Sequence, residues 1–222
     1  MNEWTLIVPS GGTGTRMGAD RPKQYLEIEQ KPIIIHTLLA LDVLFHQPRF
    51  IVSMETSWME YLQHHLNLEN LAARCTLVQG GIERYHSVKN ALPLVATRWV
   101  GVHDAVRPFV SAATVLRIKD ALAHAEAVIP TVPLRDSLRK LTPNGSAFVP
   151  RSAFVAVQTP QCFHTKTLLE AYQKPFDPNI TDDASLVESA GIPVQTVLGN
   201  DENLKITTPL DFVLAQQLLA NR

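Results

Sequence analysis

Residues 5–18 read TLIVPSGGTGTRMG: a five-residue apolar run, then Gly11, Gly12 and Gly14 set close together, then Arg16. An apolar run of this length bounded by glycines reads as a buried strand ending in a loop. Glycines directly after a strand let backbone N–H groups approach and cradle an anion. Further runs of the same kind follow at Phe50–Met54, Thr76–Val78, Trp99–His103 and Ala127–Pro130. Between them lie helical patterns. Trp58, Tyr61, Leu62, His65 and Leu66 share one stripe of a helix, and Thr208-Pro209 with Asp211 opens a last one as N-cap, first helical residue and first-turn acid. Alternation of strand and helix predicts an α/β fold. Its sheet is doubly wound and mainly parallel, with ligands outside the carboxyl ends of the strands.

The rhythm breaks at 133–158, PLRDSLRKLTPNGSAFVPRSAFVAVQ, which has no helical stripe and carries Pro143-Asn144-Gly145 near its middle. Asn-Gly is a strong hairpin signal, so this stretch reads as a two-stranded β-arm projecting from a single domain of residues 1–222. An isolated hairpin is marginal in water, which makes a second copy of the chain its expected partner.

Composition bounds the rest. The chain has 222 residues, 45% of them hydrophobic and 18% charged, enough to bury a core without a disulfide or metal staple. Its net charge of −1 and lack of a basic run argue against a nucleic-acid partner. Cys75 and Cys162 are the only cysteines and form no metal-binding spacing, so both are expected as reduced thiols. The N-terminal residues lack a signal-peptide pattern and no apolar run is long enough to span a membrane. A cytoplasmic protein is the expectation.

The glycine loop is neither of the two commonest phosphate-binding fingerprints. A dinucleotide motif starting at Gly12 would need glycine where Met17 stands, and no Gly-Lys pair closes a P-loop. Instead two cations, Arg16 and Lys23, flank the glycines. Fixed cations offset the charge that accumulates when one phosphate attacks another. Asp104 ends the strand WVGVHD, where a carboxylate could cap the next helix or help hold magnesium with substrate phosphates. Arg107, three residues on, suits a phosphate.

The string Gly11-Gly12-x-Gly14-x-Arg16-Met17-Gly18 with Pro22-Lys23-Gln24-Tyr25 resembles the signature of the 2-C-methyl-D-erythritol 4-phosphate cytidylyltransferases and of their ribitol 5-phosphate relatives. The resemblance continues through Gly80-Gly81-x-x-Arg84-x-x-Ser87, His103-Asp104-Ala105-Val106-Arg107-Pro108, Arg135-Asp136-Ser137, Gln158-Thr159-Pro160-Gln161, Thr181-Asp182-Asp183-Ala184-Ser185 and Asn203-Leu204-Lys205-Ile206-Thr207. It implies a nucleotidyltransferase Rossmann-like fold, CTP as co-substrate, magnesium, pyrophosphate as product and a homodimer paired through the β-arm.

The resemblance places Arg16 and Lys23 at the CTP phosphates, and Ser10, Gly11, Gly12, Gly14, Gly80, Gly81 and Ser87 around the nucleotide. Asp104 falls at both nucleotide and acceptor, and is the magnesium candidate. Arg107, Ser137, Arg151, Thr181, Lys205 and Thr207 fall on the acceptor side, with Arg151 and Lys205 holding the acceptor phosphate. Arg151 lies on the arm, so it would serve a neighbour's site. Thr181 also stands where a helix N-cap would suit. Ile82 departs from the polar residue common in relatives, Ser137 stands for threonine and Ser10 for a small apolar residue. The methylerythritol acceptor is favoured by the Thr181–Ser185 block and the Ser137-containing arm. Ribitol phosphate remains the alternative, and a non-catalytic nucleotide sensor is the reading from another class. No general base is required, because a phosphate monoester is already mostly dianionic at pH 7. The eight histidines are accordingly read as structural, with His103 the one tempting exception.

Overall fold

The computed structural model of the protein describes residues 3–12 and 21–221. The strands and helices follow one another along the chain as β1 (Trp4–Pro9), β2 (Glu27–Ile28), β3 (Lys31–Pro32), α1 (Ile33–Leu44), β4 (Arg49–Met54), α2 (Met59–Leu68), β5 (Cys75–Gln79), α3 (Arg84–Ala91), β6 (Trp99–Val102) and α4 (Ala112–Leu122). The chain continues with β7 (Ala127–Pro133), β8 (Leu138–Thr142), β9 (Gly145–Val149), β10 (Val155–Val157), β11 (Gln161–His164), α5 (Thr165–Ala171), α6 (Asp183–Ser189), β12 (Gln195–Leu198) and α7 (Pro209–Ala220). The main sheet runs β10-β7-β11-β6-β1-β4-β5, with β12 also on β7. Strands β5, β4, β1 and β6 are mutually parallel, β12 is parallel to β7, and β11 and β10 run antiparallel to their neighbours. Each of the five strands expected from apolar runs is present, and the sheet is mainly parallel.

Side-chain alternation explains why helices cover both faces. In β1, Leu6 and Val8 enter one apolar cluster with Ile34, Leu38, Leu62 and Ile118 from α1, α2 and α4. Ile7, between them, enters the opposite cluster with Val88, Leu168 and Leu186 from α3, α5 and α6. A strand with both faces buried reads as a near-continuous apolar run, as Leu6-Ile7-Val8 does, and the buried Thr5 at its start has its hydroxyl paired with Thr97 at 2.7 Å. A third cluster of Ile28, Ile33, Val106, Phe109, Ile206 and Ala215 seats α7.

Because β1, β4, β5 and β6 are parallel, their carboxyl ends share one edge. There, Ser10 N–H donates to Ser53 O at 2.7 Å, Gly80 N–H to Met54 O at 2.7 Å, and His103 N–H to Ile7 O at 2.9 Å. The loops after these strands are thereby stitched side by side.

The β-hairpin is formed by β8 and β9, paired from Leu138↔Val149 to Thr142↔Gly145. Both flanks of the expected 133–158 arm belong to the main sheet, since Pro133 ends β7 and Val155–Val157 is β10. The free part is thus shorter than the sequence suggested. Its turn residues are Pro143 and Asn144. Proline has no N–H for the ladder and suits a corner, while Gly145, at φ 130, opens the return strand. Leu141 and Phe148 on the hairpin are 84% and 75% exposed.

At the C-terminal helix, the Thr208 side chain accepts from Asp211 N at 3.3 Å, and the Asp211 carboxylate accepts from Thr208 N at 2.8 Å. This reciprocal cap satisfies backbone donors that α7 would otherwise leave open. Thr208→Ala should remove about 1 kcal/mol and lower the melting temperature by roughly 2–4 °C in a thermal scan, with activity retained.

Candidate active site

A cavity of about 280 Å³ opens at the carboxyl edge. Pro9, Ser10, Gly11 and Gly12 form one wall, Gly81, Ile82, Glu83, Arg84 and Ser87 a second, Asp104, Ala105 and Val106 the floor between them, and Lys23, Gln24 and Lys205 complete it. Residues separated along the chain therefore meet as the motifs required. Ser10, Gly11, Gly12, Lys23, Gly81, Ser87, Asp104 and Lys205 all line one cavity. Gly80 lies just beneath it, with Ser87 Oγ 3.3 Å from where a Cβ would sit. Gly14 and Arg16 lie outside the described residues.

The segment after the glycine loop divides its labour. Lys23 lines the cavity, while buried Gln24 donates to Ser10 O at 2.7 Å and Gly12 O at 3.1 Å. Tyr25 is fully buried, stacks on Trp58 at 4.5 Å and approaches Ser10 Oγ with its hydroxyl at 3.4 Å. On the opposite wall, Ser87 Oγ accepts from Gly81 N–H at 3.0 Å. Gly81 tolerates no side chain, because a Cβ would fall 2.2 Å from His86 Cβ.

Charge is concentrated on Asp104. Its Oδ2 accepts from Arg107 Nε at 2.9 Å and pairs with Lys205 Nζ at 3.2 Å, and its Oδ1 lies 3.9 Å from Arg84 Nε. Burial alone would raise the pKa of this carboxyl, but Lys205, Arg84 and Arg107 outweigh it and hold Asp104 well below the usual carboxylate range. Arg84 also pairs with the fully buried Asp183 at 2.6 Å, and Asp183 accepts from Tyr172 OH at 2.6 Å. Burial opposes the charge on Arg84, yet Asp183 and then Asp104 raise its pKa above the ordinary arginine value. Arg84 thus links the cavity to a second of about 320 Å³, lined by Glu83, Arg84, Tyr85, Tyr172, Phe176, Pro178, Ile180, Thr181 and Asp182. Sequence reasoning quoted Arg84 and Asp183 within motifs without giving either a task. An arginine and an aspartate far apart in sequence offered no sign that they meet.

The other expected residues fall elsewhere. The Arg107 guanidinium is turned to Asp104 and to Asn203 O at 2.7 Å, behind the cavity floor. Thr181 lines the second cavity, and Asp182 rather than Thr181 caps α6, its carboxylate accepting from Ser185 N at 3.0 Å. Asp182 is one residue closer to the apolar stretch, which sets the cap. The Thr207 hydroxyl donates to Asp211 at 2.9 Å and so buttresses the α7 cap. Ser137 and Arg151 line a separate groove on the hairpin with Leu138, Phe148, Val149, Pro150 and Ser152, and Arg151 donates to Arg135 O. That groove shares no lining residue with the cavity.

Among the described residues no three His, Cys, Asp or Glu side chains gather to hold a metal. Asp104 offers one carboxylate, with Oδ2 engaged by Arg107 and Lys205 and Oδ1 left with Arg84 at 3.9 Å. That donor set fits a magnesium ion that draws its remaining ligands from phosphates and water.

His103 lies beneath the cavity floor formed by its neighbour Asp104. It is fully buried; its Nε2 donates to Arg107 O at 2.9 Å, and its Nδ1 pairs with Thr159 Oγ1 at 3.1 Å. A carbonyl can only accept, which fixes the proton on Nε2. Burial pushes its pKa down to about 4.

A mainly parallel doubly wound sheet, opening at its carboxyl edge onto a glycine-walled cavity with fixed cations, defines a nucleotidyltransferase. Comparison with known proteins specifies which. A profile of the 2-C-methyl-D-erythritol 4-phosphate cytidylyltransferase family matches residues 4–221, and the chain belongs to that family. The Bacteroides thetaiotaomicron protein of that name is 43% identical over 224 residues, spanning 97% of this chain and 99% of its own. The Bacillus cytotoxicus protein of the same name is 38% identical, spanning 97% of each chain. Among solved structures, the Thermus thermophilus 2-C-methyl-D-erythritol 4-phosphate cytidylyltransferase superposes with a TM-score of 0.78 at 30% identity, over 97% of this chain and 98% of its own. The Anaerococcus prevotii 4-diphosphocytidyl-2C-methyl-D-erythritol synthase gives a TM-score of 0.83 at 25% identity, over 98% of each chain.

Since His103 binds a proton more readily unfolded than folded, it contributes stability that is present above pH 6.5 and lost as pH falls toward 4. The loss attributable to it is on the order of 3 kcal/mol. Denaturant melts of His103→Gln between pH 7 and 4 should show a shallower decline than the parent protein.

Proposed function

We propose that this protein transfers the cytidylyl group of CTP to 2-C-methyl-D-erythritol 4-phosphate, releasing pyrophosphate and 4-diphosphocytidyl-2-C-methyl-D-erythritol in the non-mevalonate route to isoprenoid precursors. The observation that carries this reading is the Asp104 cluster, with Lys205 beside it and Lys23 lining the same glycine-walled cavity. Ribitol 5-phosphate, the alternative acceptor, gains no support from the relatives, which are named for the methylerythritol substrate.

CTP lies between the Ser10–Gly12 wall and the Gly81–Ser87 wall, where backbone groups reach the base and ribose without side chains intervening. Its triphosphate faces Lys23, and the family resemblance assigns Arg16 and Gly14, which lie outside the described residues, to the same nucleotide. The acceptor phosphate approaches Lys205, and Arg107 anchors the carboxylate behind it. An oxygen of that phosphate attacks the α-phosphorus of CTP, and the bond from the α-phosphorus to the bridging oxygen breaks, so that pyrophosphate leaves with the electron pair. No proton must be removed first. The protein's contribution is alignment and fixed positive charge where negative charge accumulates. Magnesium, held by Asp104 and the phosphates, would supply further neutralisation of the leaving pyrophosphate.

The site is completed in a homodimer. Ser137 and Arg151 sit on the hairpin, apart from the cavity, and the exposed Leu141 and Phe148 give this hairpin apolar surface to bury. In this arrangement the Arg151 guanidinium meets the acceptor phosphate in the neighbouring subunit's cavity. Thr181 belongs to the acceptor side through the second cavity. The two cysteines, both unpaired, agree with a cytoplasmic setting. No helix among the described residues is long and apolar enough to cross a membrane.

With CTP and magnesium, pyrophosphate release should follow addition of methylerythritol 4-phosphate and not of ribitol 5-phosphate; the reverse preference would replace the acceptor. Lys205→Ala should lower kcat/KM by roughly 10²–10³. A mixture of inactive Arg151→Ala and Lys205→Ala chains, unfolded and refolded together, should recover about a quarter of parental activity, since half the dimers are mixed and each has one intact site. No recovery would place Arg151 in its own subunit's site, and an active Arg151→Ala protein would place it outside catalysis.

A further inference from the structure

Two sequence motifs remain without a task once the cavity is described: Gln158-Thr159 and the Asn203 that precedes Lys205. The structure brings them together. Residues 199–208, which carry Lys205, form neither helix nor strand, so no hydrogen-bond ladder fixes this stretch. Asn203 is fully buried within it. Its Nδ2 donates to Thr159 O at 2.8 Å and faces Gln158 Oε1 at 3.4 Å, and its backbone carbonyl accepts from Arg107 Nη1 at 2.7 Å. Gln158, also buried, spends its whole amide on the same stretch, donating to Asn200 O at 2.9 Å and accepting from Asn200 N at 3.3 Å. The fit is close, because a Cβ on Gly199 would lie 2.3 Å from Gln158 Oε1.

The contacts close a ring. Thr159 Oγ1 accepts from Asp104 N at 3.1 Å, Asp104 is held by Arg107, and Arg107 returns to the carbonyl of Asn203. Asn203 is the member of this ring nearest in sequence to Lys205, whose ammonium ends 3.2 Å from Asp104. We infer that Asn203, locked by Gln158 and Thr159, is a positioning residue that sets where the Lys205 ammonium stands relative to Asp104. It touches no substrate. Its effect passes through Lys205, and the inference therefore rests on the phosphate-facing role proposed for that lysine.

A double-mutant cycle of Asn203→Ala and Lys205→Ala tests this, with pyrophosphate release measured under magnesium, CTP and methylerythritol 4-phosphate. Asn203→Ala should lower kcat about tenfold in the parent, leave KM for CTP unchanged, and cost less than about twofold where Lys205 is already alanine. Equal fold losses in both backgrounds would overturn the proposal while leaving the role of Lys205 intact. Full activity of Lys205→Ala would instead remove the underlying reading and the proposal with it. Should Asn203→Ala fail to fold, Gln158→Met, which keeps the side-chain length and removes the amide, is put through the same cycle. Failure of both to fold would assign these amides a purely structural role.

Discussion

Three cations converge on one carboxylate at the carboxyl edge of the sheet, and the geometry of the cavity follows from that convergence. Arg84 comes from the start of α3, Arg107 from the loop after β6, and Lys205 from an irregular stretch after β12. Without Asp104, three positive groups would face one another in a partly buried space, at a cost of several kcal/mol. With it, and with Asp183 also paired to Arg84, each is held in place while three cations against two carboxylates leave one positive charge beyond neutrality. The cluster is therefore a fixed excess of positive potential, assembled before any phosphate arrives. Preorganisation of this kind is what an electrostatic mechanism needs, since the protein then has little to rearrange as charge develops.

The sheet makes this convergence possible. β1, β4, β5 and β6 are parallel and adjacent, so four loops leave one edge together. β11 runs the other way between β6 and β7. This brings its amino end, with Gln158 and Thr159 just before it, to the same edge. The reversed strand thus delivers the residues that grip the Lys205 segment, which an all-parallel order would have sent to the far side.

Much of this was readable from the chain. LIV and WVGV announce doubly buried strands through unbroken apolar composition, and the Thr208-Pro209-Asp211 cap is chemically explicit. The glycines after β1 and the cation Lys23 were legible because phosphate chemistry restricts residue type, whereas Gly81 and Lys205 were reached only through the family resemblance. The Arg84–Asp183 pair was not, because pairing between distant segments leaves no local period. Nor was the task of Arg107, since spacing alone does not say whether an arginine faces a ligand or a neighbouring carboxylate. The hairpin was readable from Pro143-Asn144-Gly145, while the entry of its flanks into the main sheet as the end of β7 and as β10 was not.

The same edge shows why charge and neutral polarity are kept apart. The buried carboxamides Gln24, Gln158, Gln161 and Asn203 each tie a loop of the site to its neighbours. Gln24 holds the glycine loop, Gln161 accepts from the N–H groups of Asp183 and Ala184 while donating to Asp182, and Gln158 with Asn203 holds the Lys205 stretch. A carboxamide both donates and accepts, so it can satisfy a backbone N–H and a carbonyl at once without a net charge. A lysine or glutamate in any of these places would be expensive to bury and would alter the potential that the phosphates meet. These loops are fastened mainly with neutral groups, and the charged contacts that join them are Arg107 to the Asn203 carbonyl and Asp183 to Arg84.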